Sequence, residues 1–138
     1  MKQLNKILKS SHILEVKGNE NLQVDNLVFD SRLVTKGSLF FAMPGTLTDG
    51  HQYIGMAIEK GALAVVCETL PNNLHPNITY IKVSSSAAAL GYAASTFFDN
   101  PSHKIKLVGI TGTNGKTTTV TLLHHLANRL GRKAGLIS

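Results

Sequence analysis

Tryptophan is missing from these 138 residues, cysteine occurs once, and aromatic side chains make up only 6% of the chain. A single Cys67 excludes an intrachain disulfide framework, and its place in an apolar run marks a core thiol rather than a nucleophile. Long hydrophobic runs are lacking too. The longest, Ala62 to Cys67, falls far short of the roughly 20 residues that cross a bilayer, so no membrane insertion is expected. Behind the amphipathic Lys2, Lys6 and Lys9 segment there is no apolar stretch of signal-peptide length, which points to a cytoplasmic protein. A hydrophobic share of 43% against 16% charged residues excludes a disordered chain.

One further absence is regional. Residues 1–99 balance eight basic against eight acidic side chains, whereas residues 100–138 hold six basic residues and no acidic one. The basic set is Lys104, Lys106, Lys116, Arg129, Arg132 and Lys133, which suits a polyanionic ligand such as a nucleotide. A solvated basic face is the plainer account of most of these side chains. Nucleic acid as a partner is not expected, because no basic cluster is interleaved with aromatics. His124 and His125 have no carboxylate or cysteine at metal-ligand spacing and read as ordinary helix residues. No residue pattern speaks to an oligomeric state.

What is present centres on Thr111-Gly112-Thr113-Asn114-Gly115-Lys116-Thr117-Thr118. The β-branched run Ile105 to Ile110 precedes it and predicts a buried strand. Leu122, Leu123, Leu126, Ala127 and Leu130 follow at helical spacing. Strand, glycine-rich turn and helix is the context of a phosphate-binding loop. Gly112 and Gly115 let backbone approach phosphates, and the helix's first amides have no intrahelical partner. Lys116 would reach the terminal phosphates as a point charge, and the Thr117 hydroxyl would ligate Mg2+. Ile110 stands where the general pattern has its first glycine. The plainer alternative is a glycine-rich turn with one exposed lysine. A second strand is expected over residues 133–137, and this βαβ unit reads as interrupted. Its lack of carboxylates leaves the usual aspartate for magnesium unsupplied.

Upstream, Leu4, Ile7 and Leu8 predict a helix over residues 2–9. Strands are expected at 13–16, 22–29, 39–43, 64–67 and 79–83. In the second of these Val24, Asn26 and Val28 share one face. A helix over 52–60 turns Ile54, Ala57 and Ile58 inward and ends at Gly61. Ser84 is expected to cap a helix with Ala87, Leu90, Gly91, Ala94, Phe97 and Phe98 as its buried stripe. Asp99-Asn100-Pro101-Ser102 reads as the domain boundary. The expected architecture is α/β: a small mixed domain over 1–99, then the first strand, phosphate loop and helix of a parallel-sheet domain over 100–138.

Two stretches carry a family resemblance. The loop TGTNGKTTT at 111–119 resembles the ATP loop of the Mur ligases, the cytoplasmic amino-acid-adding enzymes of peptidoglycan synthesis, in which a residue such as Ile110 is normal. Asp30-Ser31-Arg32, Val34, Gly37, Leu39-Phe40, Ala42, Gly45, Asp49-Gly50-His51, Tyr53-Ile54, Ala57 and Gly61-Ala62 resemble the N-terminal substrate domain of two branches. One branch adds the third residue to UDP-N-acetylmuramoyl-dipeptide, and the other adds the D-Ala-D-Ala dipeptide. Thr113-Asn114 favours the first. The resemblance covers nearly the whole chain and about the first third of a complete ligase.

By that resemblance the chain binds UDP-N-acetylmuramoyl-dipeptide and ATP with Mg2+ and serves ATP-dependent amide formation. Lys116 would be the catalytic side chain and Thr117 the metal ligand. Gly112, Thr113, Asn114, Gly115, Lys116, Thr117 and Thr118 would hold ATP. Phe29, Ser31, Thr46, Leu47 and Thr48 fall at the family's nucleotide-sugar contacts. A strand-end turn with a local ion pair is the plainer account of Asp30-Ser31-Arg32. A non-catalytic UDP-sugar-binding module stays open, as does the choice of diaminopimelate or lysine as third residue. The 138-residue chain by itself is expected to be inactive.

Overall fold

The computed structural model describes residues 1–9, 11–45 and 48–137, and divides the chain into two compact units, Met1–Lys104 and Ile105–Ser138. The division falls after the short 3-10 turn Pro101–Lys104, a few residues beyond the expected boundary. That turn stays with the first unit through the end of its last helix. There the Asn100 amide donates to the Ser95 carbonyl at 2.7 Å and the His103 amide to that of Asn100 at 3.0 Å.

The first unit is built on strands β1 (Lys2–Gln3), β2 (Ile13–Lys17), β3 (Gln23–Val24), β4 (Asn26–Val28), β5 (Ser38–Phe41), β6 (Ala62–Cys67) and β7 (Thr79–Val83). Helices α1 (Leu4–Ile7), α2 (Ile54–Glu59) and α3 (Ser86–Phe97) lie between and after them. Five strands form one sheet in the order β2-β7-β6-β5-β4, with β4 to β7 parallel and β2 antiparallel at the edge. Strands β1 and β3 make a separate antiparallel pair.

Both faces of the large sheet are covered, which is why its central strands are almost continuously apolar. Alternation along each strand sorts side chains between two cores. Leu39, Phe41, Ala64, Val66, Ile81 and Val83 meet Leu4, Ile7 and Leu8 beside α1, and Ala89 and Ala93 of α3. Phe40, Val65, Cys67 and Tyr80 face the other way, toward Ile54 and Ala57 of α2. Tyr80 and the two phenylalanines are 1% exposed or less, so each contributes roughly 2–3 kcal/mol of burial. Burial lifts the Cys67 thiol to about 11, in keeping with a core role.

Four expectations need correction. Residues 22–29 are not one strand. The chain changes sheets at Asp25, whose amide donates to the Gly37 carbonyl at 3.0 Å. Val24 therefore joins the α1–α3 core and Val28 the α2 core, on opposite faces. Lys2–Gln3 is a strand rather than the start of α1, because it pairs with Gln23–Val24. Helix α3 is capped by Ser85, whose hydroxyl accepts from the Ala88 amide, and not by Ser84. Its buried residues are Ser86, Ala89 and Ala93, while Ala87, Gly91 and Phe98 are exposed. Small side chains on every face left its phase undetermined by pattern.

The fourth correction concerns the second unit. Residues 105–110 and 133–137 form no strand. A strand is held by its ladder partners, and among the described residues neither segment has one. The unit's regular element is α4 (Lys116–Arg129), which has no buried residue. No helix among the described residues is long and apolar enough to cross a membrane.

Candidate functional site

In parallel sheets, ligand-facing residues gather where strands end at their carboxyl edge. Here that edge carries Phe29 to Leu33 after β4, Met43 to Gly45 and Thr48 to His51 after β5, Glu68 and Thr69 after β6, and Ser84 to Ser86 after β7. Strands β4 and β5 are paired neighbours, Val28 standing opposite Phe40. The segments that follow them, holding Phe29, Ser31 and Thr48, thus leave adjacent points of one edge. Of the expected nucleotide-sugar residues, Thr46 and Leu47 lie outside the described residues.

Phe29 is 62% exposed, an unusual state for a phenylalanine beside a sheet, whereas Ser31 is 8% exposed. Ser31 opens the 3-10 turn Ser31–Leu33, capped by Asp30 through the Arg32 amide at 2.9 Å. Arg32 also grips the Asp30 carboxylate with its side chain, Nε at 2.9 and 3.1 Å and Nη2 at 2.7 Å. The Arg32 side-chain bonds, then its amide, hold the Asp30 carboxyl down at about 2. The local ion pair anticipated at this turn is therefore present, and it coexists with an exposed aromatic and a hydroxyl.

This lowered carboxyl has a checkable consequence. A depressed carboxylate stabilises the fold above its unfolded value near 4, and that contribution disappears as pH falls through about 2. In an NMR titration, Asp30 should ionise near the lower value. Arg32→Ala should move it back toward 3.8, the ordinary value, though not fully, because the residue-32 amide still donates to it. Titration at 3.8 in the unmodified chain would show that the pair does not form in solution.

The turn after β5 is fixed from several sides. The Gly50 amide donates to the Met43 carbonyl at 2.8 Å, and the Gly45 amide to that of Thr48 at 3.1 Å. A Cβ on Gly50 would lie 2.6 Å from the Met43 oxygen, so only glycine fits there. Asp49 accepts from the His51 amide at 2.9 Å and faces His51 Nδ1 at 2.6 Å. These bonds lower the Asp49 carboxyl, the backbone one most. On the far side of the ring, Nε2 accepts from the Glu68 amide at 2.9 Å and the Thr69 amide at 3.3 Å. Glu68 then caps α3, Oε1 accepting from the Ser86 amide at 2.8 Å. Sequence reading assigned neither His51 nor Glu68 a role. The Asp49-Gly50-His51 string was its only trace.

In the second unit, residues 111–115 make an irregular turn into α4. Gly112 and Gly115 sit at φ +145° and +73°, where side chains are strained. Gly115 is the N-cap and offers no side chain, so the first amides of α4 keep no capping partner of that kind. Lys116 Nζ folds back onto the carbonyls of Gly112 at 2.6 Å and Thr113 at 3.2 Å. The turn thus combines free helix-start amides with a lysine held over its own loop, while Thr117 and Thr118 are exposed. Among the described residues no group of three or more His, Cys, Asp or Glu converges as a metal cluster.

A UDP-N-acetylmuramoyl-L-alanyl-D-glutamate–2,6-diaminopimelate ligase of Bacteroides fragilis is 51% identical over 135 residues, 98% of this chain and 28% of that protein. The ligase of the same name from Cytophaga hutchinsonii is 50% identical over 137 residues, 99% of this chain and 28% of its own length. The chain thus spans little more than a quarter of these curated relatives. Among solved structures, MurF ligase from Thermotoga maritima in complex with ADP is 31% identical with a TM-score of 0.55, over 80% of this chain and 25% of that one. MurF from Acinetobacter baumannii shares the fold at a TM-score of 0.63 and 23% identity, over 93% of this chain and 27% of that one. Residues 23–98, more than half of the chain, match the profile of the Mur ligase family, catalytic domain. With that match across β3 to α3, the chain belongs to the Mur ligase family.

Proposed function

We propose that this chain holds the nucleotide-sugar and ATP-loop parts of a ligase that joins 2,6-diaminopimelate to UDP-N-acetylmuramoyl-L-alanyl-D-glutamate. The observation that carries the reading is about 50% identity, across nearly every residue, to ligases of that name. The second reading is the D-alanyl-D-alanine-adding branch of the family, and a solved structure named as a D-alanyl-D-alanyl ligase shares the fold at 23% identity. Residues 1–99 are read as the substrate domain and 100–138 as the start of the ATP-binding domain.

The chemistry divides between the two units. In the first, Phe29 offers an apolar face, and the hydroxyls of Ser31, Thr46 and Thr48 with the Leu47 backbone satisfy uracil and diphosphate oxygens. In the second, the loop from Gly112 to Thr118 surrounds the phosphates of ATP with backbone amides. The substrate carboxylate attacks the γ-phosphorus, the bond to the β–γ bridging oxygen breaks, and an acyl phosphate and ADP result. The amine of diaminopimelate then adds to the acyl carbon, loses a proton, and expels inorganic phosphate to leave the amide. Lys116 stabilises charge on the transferring phosphoryl group, for which it must leave the Gly112 and Thr113 carbonyls. The exposed Thr117 hydroxyl suits a single ligand to Mg2+, which supplies further charge neutralisation when bound.

Titration with UDP-N-acetylmuramoyl-L-alanyl-D-glutamate, followed by amide NMR, tests the substrate half. Shifts are expected around Phe29, Ser31 and Thr48, with the core amides of β6 unmoved. A response confined to residues 105–137, or none at all, would refute the assignment of this edge.

A further inference from the structure

We infer that His51 is a positioning residue for the substrate-facing loop, locking the turn that carries Thr48 to the carboxyl end of β6. The inference rests on reading this edge as the nucleotide-sugar site. Its basis is the way the imidazole is used. Two backbone amides, those of Glu68 and Thr69, point at Nε2. Amides only donate, so Nε2 carries the lone pair and the ring proton sits on Nδ1. From there it is given to Asp49 Oδ1 at 2.6 Å. Both nitrogens are therefore occupied, and the ring side chain is only 16% exposed. It has no free atom for a substrate, which separates positioning from catalysis.

The lock connects three segments. On one side the Pro44–Asp49 bridge, the Gly45–Thr48 bond and the Gly50–Met43 bond stitch the two ends of the turn together. On the other, Glu68 passes the connection to the first amide of α3. The loop after β5, the end of β6 and the start of α3 are thus one hydrogen-bonded chain, with a rigid ring at its centre. An imidazole suits this place because it presents a donor and an acceptor on opposite edges at fixed separation. Without it, the turn keeps its internal bonds and its anchorage at β5, where the Ala42 amide donates to the Val66 carbonyl at 2.8 Å, but loses its tie to Glu68 and Thr69. Thr48 then stands on a turn held at one end only.

The experiment measures two properties of the 138-residue chain. His51→Ala should speed hydrogen exchange at the Gly45 and Gly50 amides by about tenfold, the size of one to two net hydrogen bonds. It should weaken binding of UDP-N-acetylmuramoyl-L-alanyl-D-glutamate by a similar factor, while exchange at Val65 and Ile81 stays unchanged. Asp49→Asn keeps the accepting oxygen and should behave like the unmodified chain in both measurements, whereas Asp49→Ala should resemble His51→Ala. Ring nitrogen shifts of the unmodified protein should report the Nδ1–H tautomer. Unchanged loop exchange and affinity in His51→Ala would overturn the inference. So would a general loss of protection across β6 and β7 in both alanine variants, the mark of a merely structural residue. If the unmodified chain binds no UDP-sugar, the function reading falls and the positioning role with it. Loop exchange then still reports whether the lock itself exists.

Discussion

Lys116→Ala is expected to lower amide formation by roughly three orders of magnitude. The enzyme for this measurement is a chimera in which these 138 residues replace their counterpart in the Bacteroides fragilis ligase. The expectation starts from the loop. Its glycines bring backbone amides to the phosphates, but amides are partial charges, whereas the transition state spreads negative charge over the phosphoryl oxygens and shifts it toward the departing β–γ bridging oxygen, where a full positive charge acts most strongly. Lys116 is the one cation in the segment from Thr111 to Thr121. In the free chain its Nζ is satisfied by two loop carbonyls, so its removal strands no buried charge. The fold should therefore survive with its melting temperature nearly unchanged, and the loss should appear in kcat more than in KM for the UDP-sugar. Lys116→Arg restores the charge but not its compactness and should recover only part of the rate. A well-folded Lys116→Ala chimera that turns over within tenfold of its parent would remove the lysine from the mechanism.

Why a phosphate-loop reading could be proposed from spacing, while the bonds of His51 could not, is a matter of locality. In that proposal Gly112, Gly115, Lys116 and Thr117 act through backbone freedom and side-chain chemistry within a few residues, and spacing records both. The same holds for Leu4, Ile7 and Leu8, whose spacing predicted their burial, and for the apolar run that became β6. His51 instead meets the Glu68 amide 17 positions away. A backbone amide is common to every residue except proline, so no residue type marks the partner. Strand pairing is non-local in the same way. Lys2–Gln3 became a strand because Gln23–Val24 lies beside it, and the sheet change at Asp25 put Val24 and Val28 on opposite faces. In α3, alanines and a glycine on several faces made one helical phase look much like the next. Packing of Ala89 and Ala93 against the sheet, a non-local contact, decided which face turned inward. Residues 105–110 have the composition of a strand but no ladder partner among the described residues, and composition alone does not supply one.

That missing ladder bears on the largest expected effect of all, the difference between this polypeptide and a complete ligase. Assayed alone, the 138-residue chain should neither form the amide nor release phosphate from ATP at a measurable rate. The reasons are physical and lie in the second unit. Leu107 and Val108 are 76% and 69% exposed, so the segment leading into the loop is not anchored by burial. Leu122, Leu126 and Leu130 on α4 are each more than half exposed, leaving the helix behind the loop without a packed face. A phosphate site gains its affinity from amides held in place before the ligand arrives. Here their ordering must be supplied during binding, and Lys116 must first give up two carbonyl contacts. Residues 100–138 of this polypeptide hold no Asp or Glu that could share Mg2+ with the proposed Thr117 ligand. Affinity for magnesium-ATP should then be no better than about millimolar, near −4 kcal/mol. Calorimetry of the purified chain provides the measurement, alongside a phosphate-release assay supplied with ATP, Mg2+, UDP-N-acetylmuramoyl-L-alanyl-D-glutamate and diaminopimelate. Micromolar binding, or steady phosphate release that depends on the dipeptide substrate, would mean that the loop is already ordered and that these exposed leucines do not limit it.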